Sequence, residues 1–206
     1  MKKIYLIMTL VCMMMVSCKP SNPYAGDGKI QGYEYVDLGL SVKWATCNIG
    51  ATSPEGFGNY YAWGELEPKT EYTFDNCVTE GKELGDIADM AEYNTAAANW
   101  GTDWRIPTYE ELDELCTKCT WTWTTLGDVN GYKVTAANGK SIFLPAAGYY
   151  RGSFHVGEGS NGGYWSTMPF EDGTTYAYSL YFNHDNYMID YDGHRHFGVS
   201  VRPVSK

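Results

Sequence analysis

Little in the 206-residue chain points toward catalysis. There is no Gly-x-Ser-x-Gly elbow, no His-Glu-x-x-His helix and no Gly-rich phosphate loop. The common nucleophile, metalloprotease and nucleotide signatures are therefore missing. Histidine is sparse, at positions 155, 184, 194 and 196 only. Positive charge is scarce as well: 15 Lys and Arg stand against 25 Asp and Glu, a formal net charge of -10. Such a chain repels a phosphate backbone, which argues against nucleic acid as a partner. The acids gather between Glu65 and Glu92 and over Glu110 to Glu114, as on a solvated face. Glycoside hydrolysis needs two carboxylates flanking one bond, and acids this plentiful single out no pair. No segment repeats at solenoid or propeller spacing. The expectation is a non-catalytic protein with no cofactor and no metal, with a carboxylate-based hydrolase as the enzymatic alternative.

Long apolar runs are equally rare, and the one present lies at the start. Lys2 and Lys3 form a positive leader, and Ile4 to Val16 follow without a charge. A run of that length enters a translocon but is too short to span a bilayer. It ends in Met15-Val16-Ser17-Cys18, which matches a bacterial lipobox. Residues 1–17 therefore read as a lipoprotein signal peptide, and Cys18 as the lipid-attachment residue. Each buried methylene contributes about 0.8 kcal/mol, so two or three acyl chains hold where one would not. Loss of Lys2 and Lys3 takes the formal charge from -10 to -12. Residues 18–32, rich in Pro, Ser, Asn and Gly, read as a lipidated tether. Lys19 follows the cysteine, where Asp would favour inner-membrane retention in some bacteria. The expected location is the cell envelope, lipid-anchored at the outer membrane, with the membrane face left open. Replacing Cys18 with alanine should abolish palmitate labelling and leave unprocessed precursor; labelled lipid on the alanine variant would refute the anchor.

Beyond the tether, one domain is expected over residues 33–204. The chain carries 18 Tyr, 7 Trp and 23 Gly. Short aromatic and β-branched runs broken by Gly, Asn and Asp predict many short antiparallel strands around an aromatic core. One helix is expected over about 107–119. Thr108 is its N-cap and Glu111 closes a capping box, and Tyr109, Leu112, Leu115, Cys116 and Cys119 recur at helical spacing. A weaker helical tendency runs from Ile87 to Asn94 in a long acidic loop. Asn130-Gly131 and Asn138-Gly139 are read as hairpin turns, as are Asn183-His184-Asp185 and Asp192-Gly193. Residues Pro145 to Gly163 read as loop. Asp190, Asp192, His194 and His196 alternate near the last turn, where a hydrated hairpin tip is expected over a metal site.

Cys47, Cys77, Cys116 and Cys119 remain once Cys12 and Cys18 are accounted for. An oxidising envelope permits disulfides, and four cysteines allow three full pairings, which the sequence leaves open. Cys116-Thr-Lys-Cys119 has redox or zinc spacing, but no second ligand pair follows it. Buried thiols, or bonds to Cys47 and Cys77, are the expectation.

Six runs in order carry a family resemblance: Tyr35 to Thr46, Tyr60 to Glu65, Trp104 to Thr108 with Glu111 and Leu112, Phe143 to Tyr149, Tyr164 to Thr167, and Phe197 to Val204. Together they resemble the Fibrobacter succinogenes major paralogous domain, found in Bacteroidetes-type lipoproteins and surface proteins. The resemblance implies a C-type lectin-like fold, hence an α+β class. Trp104 to Glu111 and the closing Gly198 to Arg202 also resemble the formylglycine-generating enzyme. That enzyme works through two copper-binding cysteines late in its chain; no cysteine follows Cys119 here, so its chemistry does not carry over. The sugar-binding Glu-Pro-Asn, Gln-Pro-Asp and Trp-Asn-Asp motifs of calcium-dependent lectins are also missing.

What remains is a binding or surface module for a glycan or protein ligand, with a structural or assembly role in the outer membrane or surface appendages as its rival. Residues 151–162 are poor in apolar side chains and rich in Gly and Ser, so they should lie on the surface. Phe154 and His155 within them, with Tyr150 and Arg151, are the candidate ligand contacts.

Overall fold

Runs of aromatic and β-branched residues between glycines do become strands. The computed structural model describes residues 24–170 and 173–206. It is mostly β, with 38% strand and 12% helix and one helix of seven or more residues. The strands are β1 (Gly28–Ile30), β2 (Tyr33–Val36), β3 (Lys43–Ala45), β4 (Tyr60–Tyr61), β5 (Thr120–Leu126), β6 (Val129–Thr135) and β7 (Ser141–Pro145). They continue as β8 (Tyr149–Arg151), β9 (Phe154–Val156), β10 (Asn161–Pro169), β11 (Tyr176–Asn183), β12 (Tyr187–His194), β13 (Val199–Ser200) and β14 (Val204–Ser205). The helices are α1 (Thr95–Trp100) and α2 (Tyr109–Lys118).

The strands fall into a four-stranded sheet β1-β2-β3-β14, a five-stranded sheet β12-β11-β10-β13-β4, a three-stranded sheet β5-β6-β7 and a hairpin β8-β9. The five-stranded sheet is the centre. Its β10–β13 pairing is parallel and its other pairings are antiparallel. Strand side chains alternate between faces, and each face here contributes to an apolar cluster. Tyr164, Leu180 and Phe182 enter one apolar cluster with Leu112, Leu115, Val134 and Leu144. Trp165, Ala177 and Val199 enter a second with Trp63, Trp104 and Ile49. Three buried indoles find acceptors: Trp63 Nε1 donates to Ser166 O at 2.9 Å, Trp104 to Ile30 O at 3.1 Å and Trp165 to Tyr61 O at 2.8 Å.

α2 starts where its capping residues predict. Thr108 Oγ1 accepts from the Glu111 N–H at 3.3 Å, and the Glu111 carboxylate accepts from the Thr108 N–H at 2.9 Å. Both terminal guanidinium nitrogens of Arg105 also donate to Glu111. That acid is therefore committed to holding the helix start.

Several expectations are overturned. The fold class is mostly β rather than α+β: the acidic segment contributes only single 3-10 turns at Phe74–Asn76 and Ala91–Tyr93, and α1 adds six residues. Nothing in the architecture supports the C-type lectin-like fold implied by the family resemblance. Asn130-Gly131 lies inside β6, and the β5–β6 turn is Gly127-Asp128, with Gly127 at φ +60°. Gly131 is needed for another reason: a Cβ there would sit 2.3 Å from Leu144 O on the paired strand. Asp192-Gly193 is not a turn either, because β12 continues to His194. Residues 28–30, within the expected tether, pair with β2, and Tyr24 packs edge-on against Phe143 at 5.8 Å. Cys18 and the leader lie outside the described residues.

Candidate functional site

The segment expected to be a ligand loop is ordered by pairing. β8 and β9 form a hairpin with Tyr149 opposite Val156, Tyr150 opposite His155 and Arg151 opposite Phe154. Alternation then separates the four expected contacts onto two faces. Tyr150 and His155 stack at 4.6 Å and 3°. His155 Nε2 lies 2.8 Å from Ala147 O and 3.0 Å from the Tyr60 hydroxyl, and Nδ1 lies 3.1 Å from Glu158. Tyr60 donates to Ala147 O at 2.6 Å, and Tyr72 donates to Tyr60 O. Burial raises the hydroxyl pKa of both tyrosines above the ordinary phenol value, that of Tyr72 to about 12. Tyr150 and His155 therefore belong to an inward polar-aromatic cluster. Arg151 and Phe154 are exposed, Phe154 at 76%. They share the opposite face with Tyr149.

That opposite face leads to an open groove of about 360 Å³ on the five-stranded sheet. Its floor is Gly163 of β10, Ser179 of β11 and Gly193 of β12, with Val199 beside them. Gly163 lies directly opposite Tyr181, so no side chain there fills the surface. Gly193 sits over an indole: a Cβ would be 2.8 Å from the Trp165 ring. The walls are Tyr181 and a stacked pair, Tyr149 and Phe197, at 5.5 Å and 25°. Met188, 45% exposed, pairs opposite Tyr181 and so extends the same face. Two backbone contacts hold Tyr149 in place. The Tyr150 N–H donates to Gly198 O at 2.7 Å, and the Gly148 N–H donates to Asn161 O at 2.7 Å.

The described lining residues carry no carboxylate, imidazole, thiol or cation. They offer aromatic faces, hydroxyls and bare backbone. Such a surface can bind by stacking and hydrogen bonding. Sequence reasoning missed it because its parts come from five separate segments. The signal available was glycine inside strand runs, which marks close approach or an open surface.

No disulfide joins the described cysteines. All four described thiols are free. Cys116 and Cys119 pack against the first cluster, Cys47 against the second, and Cys77 lies in a third with Ala62 and Tyr72. Burial pushes the Cys116 thiol up to about 12 and that of Cys119 up to about 11, and raises Cys47 and Cys77 as well. Thiolate is the reactive form, so at pH 8 folded Cys116 should alkylate about a thousandfold more slowly than an unperturbed thiol. Mass spectrometry after iodoacetamide should count four adducts on unfolded residues 19–206 and almost none on the folded protein. Rapid native labelling, or a mass lower by two hydrogens, would contradict this assignment.

His194 and His196 do not form a hydrated tip. His196 Nδ1 faces the Glu80 carboxylate at 3.1 Å, and the His194 ring packs on Tyr176 at 4.4 Å. No group of three metal-ligating side chains converges among the described residues. No helix among them is long and apolar enough to cross a membrane.

With the groove in view, the comparisons add a region rather than an activity. No curated protein matches the chain, and no solved structure does. A family described as a domain of unknown function (DUF8237) matches residues 119–204, a stretch that includes every lining residue of the groove.

Proposed function

We propose that the protein is a lipid-anchored binding module of the cell envelope whose ligand is a neutral glycan, held in the groove between Tyr149, Phe197 and Tyr181. One observation carries this reading: an open, glycine-floored sheet surface flanked by aromatic rings, with hydroxyls within the same concavity. A pyranose has an apolar face and a rim of hydroxyls. Flat rings with polar tips match both at low entropic cost. Charge supports neutrality, since no cation lines the groove and the chain carries a net -10. An anionic polymer would meet repulsion with no paired contact to offset it.

A glycan array probed with residues 19–206 tests the reading. Binding to neutral sugars is expected. Tyr149→Ala should weaken it about 30-fold, because a central aromatic anchor is worth about 2 kcal/mol. Tyr149→Phe, which keeps the stacking face, should lose much less. An array that stays blank, or binding indifferent to Tyr149→Ala, would contradict the proposal.

A further inference from the structure

A second aromatic feature lies outside the groove and is not explained by packing. Phe74 is 56% exposed. Its ring meets His196 edge-on at 6.1 Å. His196 meets Phe197 at 5.0 Å and 82°, and Phe197 is the groove wall stacked on Tyr149. An unbroken succession of ring contacts therefore leads from inside the groove to an exposed phenyl group.

The middle member of that succession is held with care. His196 Nδ1 is 3.1 Å from Glu80 Oε2, and the Glu80 side chain is 2% exposed. Glu80 Oε1 is buried with no hydrogen-bond partner. Leaving a buried acceptor unmet is costly, and the His196 contact satisfies only the other Glu80 oxygen. With Nδ1 committed to Glu80, Nε2 at the far end of the ring makes no hydrogen bond among the described residues. The neighbouring Arg195 cannot take that role, because its donors go to the carbonyls of Thr79, Lys82, Gly173 and Tyr176. An oriented imidazole, its side chain 16% exposed, beside an exposed phenyl ring makes a small station whose main contact is stacking, the same chemistry as the groove.

We infer that the ligand is an oligosaccharide chain rather than a single terminal sugar, and that Phe74 and His196 form a second subsite reached over Phe197. The inference rests on the groove being the glycan site. Length dependence is its signature: each added unit that reaches Phe74 should raise affinity, and units beyond it should add little.

Titration calorimetry tests this with oligomers of one to six units of β-1,4-linked glucose, mannose, xylose and N-acetylglucosamine. In the unaltered protein, affinity should climb with length by about tenfold or more and then level off. Phe74→Ala should leave the shortest binding oligomer unaffected and flatten the climb; its exposed ring makes a folding defect unexpected. His196→Gln should act in the same direction, more weakly. Tyr149→Ala should weaken every length. If Phe74→Ala weakens all lengths alike, or none, the second subsite is refuted while the groove stands. If Tyr149→Ala has no effect, or no oligomer binds, the groove reading itself is refuted and this inference with it.

Discussion

Arg202→Ala is expected to unfold the domain or bring it to the edge of unfolding. The guanidinium is buried, 1% exposed, and it donates to neutral acceptors. Nε donates to Asn48 Oδ1 at 2.9 Å, Nη1 to the carbonyls of Ala45 and Thr46 at 3.1 and 3.0 Å, and Nη2 to Phe143 O at 2.9 Å. These acceptors come from the end of β3, the segment after it and β7, so one side chain ties two sheets together. Burial lowers the Arg202 pKa, and the charge is tolerated because every arm of the fork is used. Alanine leaves four buried acceptors unmet, at about 1–3 kcal/mol each, against a total stability of about 5–15 kcal/mol. Lysine keeps the charge but not the planar fork, and should rescue only partly. Urea denaturation followed by far-UV circular dichroism measures both variants. An alanine variant within about 1 kcal/mol of the parent would contradict this account.

Gly148→Ala should also be strongly damaging, and it should reach the groove. Gly148 has φ +64°, and a Cβ there would lie 2.4 Å from Val156 O and 2.8 Å from the Glu158 nitrogen. Both neighbours are backbone, so neither can swing aside. The left-handed conformation costs a residue with a Cβ about 1–2 kcal/mol, and the overlap adds roughly 1–3 kcal/mol. Gly139 is the control, with φ +83° and nothing within 4 Å of its missing Cβ. Gly139→Ala should cost about 1 kcal/mol, through backbone strain alone. Thermal unfolding should therefore place Gly148→Ala at least several degrees below Gly139→Ala. Relief of the overlap shifts β8, so the Tyr149 wall should move as well and glycan affinity should fall. Equal melting temperatures for the two variants would show that the hairpin yields freely.

The six runs that carry the family resemblance turn out to be fold determinants. Trp44, Trp63, Trp104 and Trp165 are core indoles, Arg105 grips Glu111, and Arg202 is the clamp just described. Local reading recovered α2, the Asn138-Gly139 turn and the strand runs of β11 and the start of β12. Local reading could not recover what distant segments build together. The parallel β10–β13 pairing, the β3–β14 pairing and the groove all depend on contacts between remote residues. Phe154 and His155 show the same limit from the other side. Residues 151–162 look like loop because they hold few apolar groups, yet pairing makes a hairpin, and its two-residue period sends the rings to opposite faces. Asn130-Gly131 has the stronger turn signature, but the space beside Leu144 decides for strand.

The central claim, that ligand lies in the glycine-floored groove of the five-stranded sheet, has a direct test in the backbone amides of two glycines. Gly163 and Gly193 form the groove floor, while Gly127 and Gly139 sit at turns of the three-stranded sheet. In nitrogen-15 correlation spectra of residues 19–206 titrated with the best-binding neutral oligosaccharide, the Gly163 and Gly193 signals should shift together and saturate at the same ligand concentration. Gly127 and Gly139 should stay in place. Saturable shifts confined to Gly127 and Gly139, with Gly163 and Gly193 unmoved, would contradict the account.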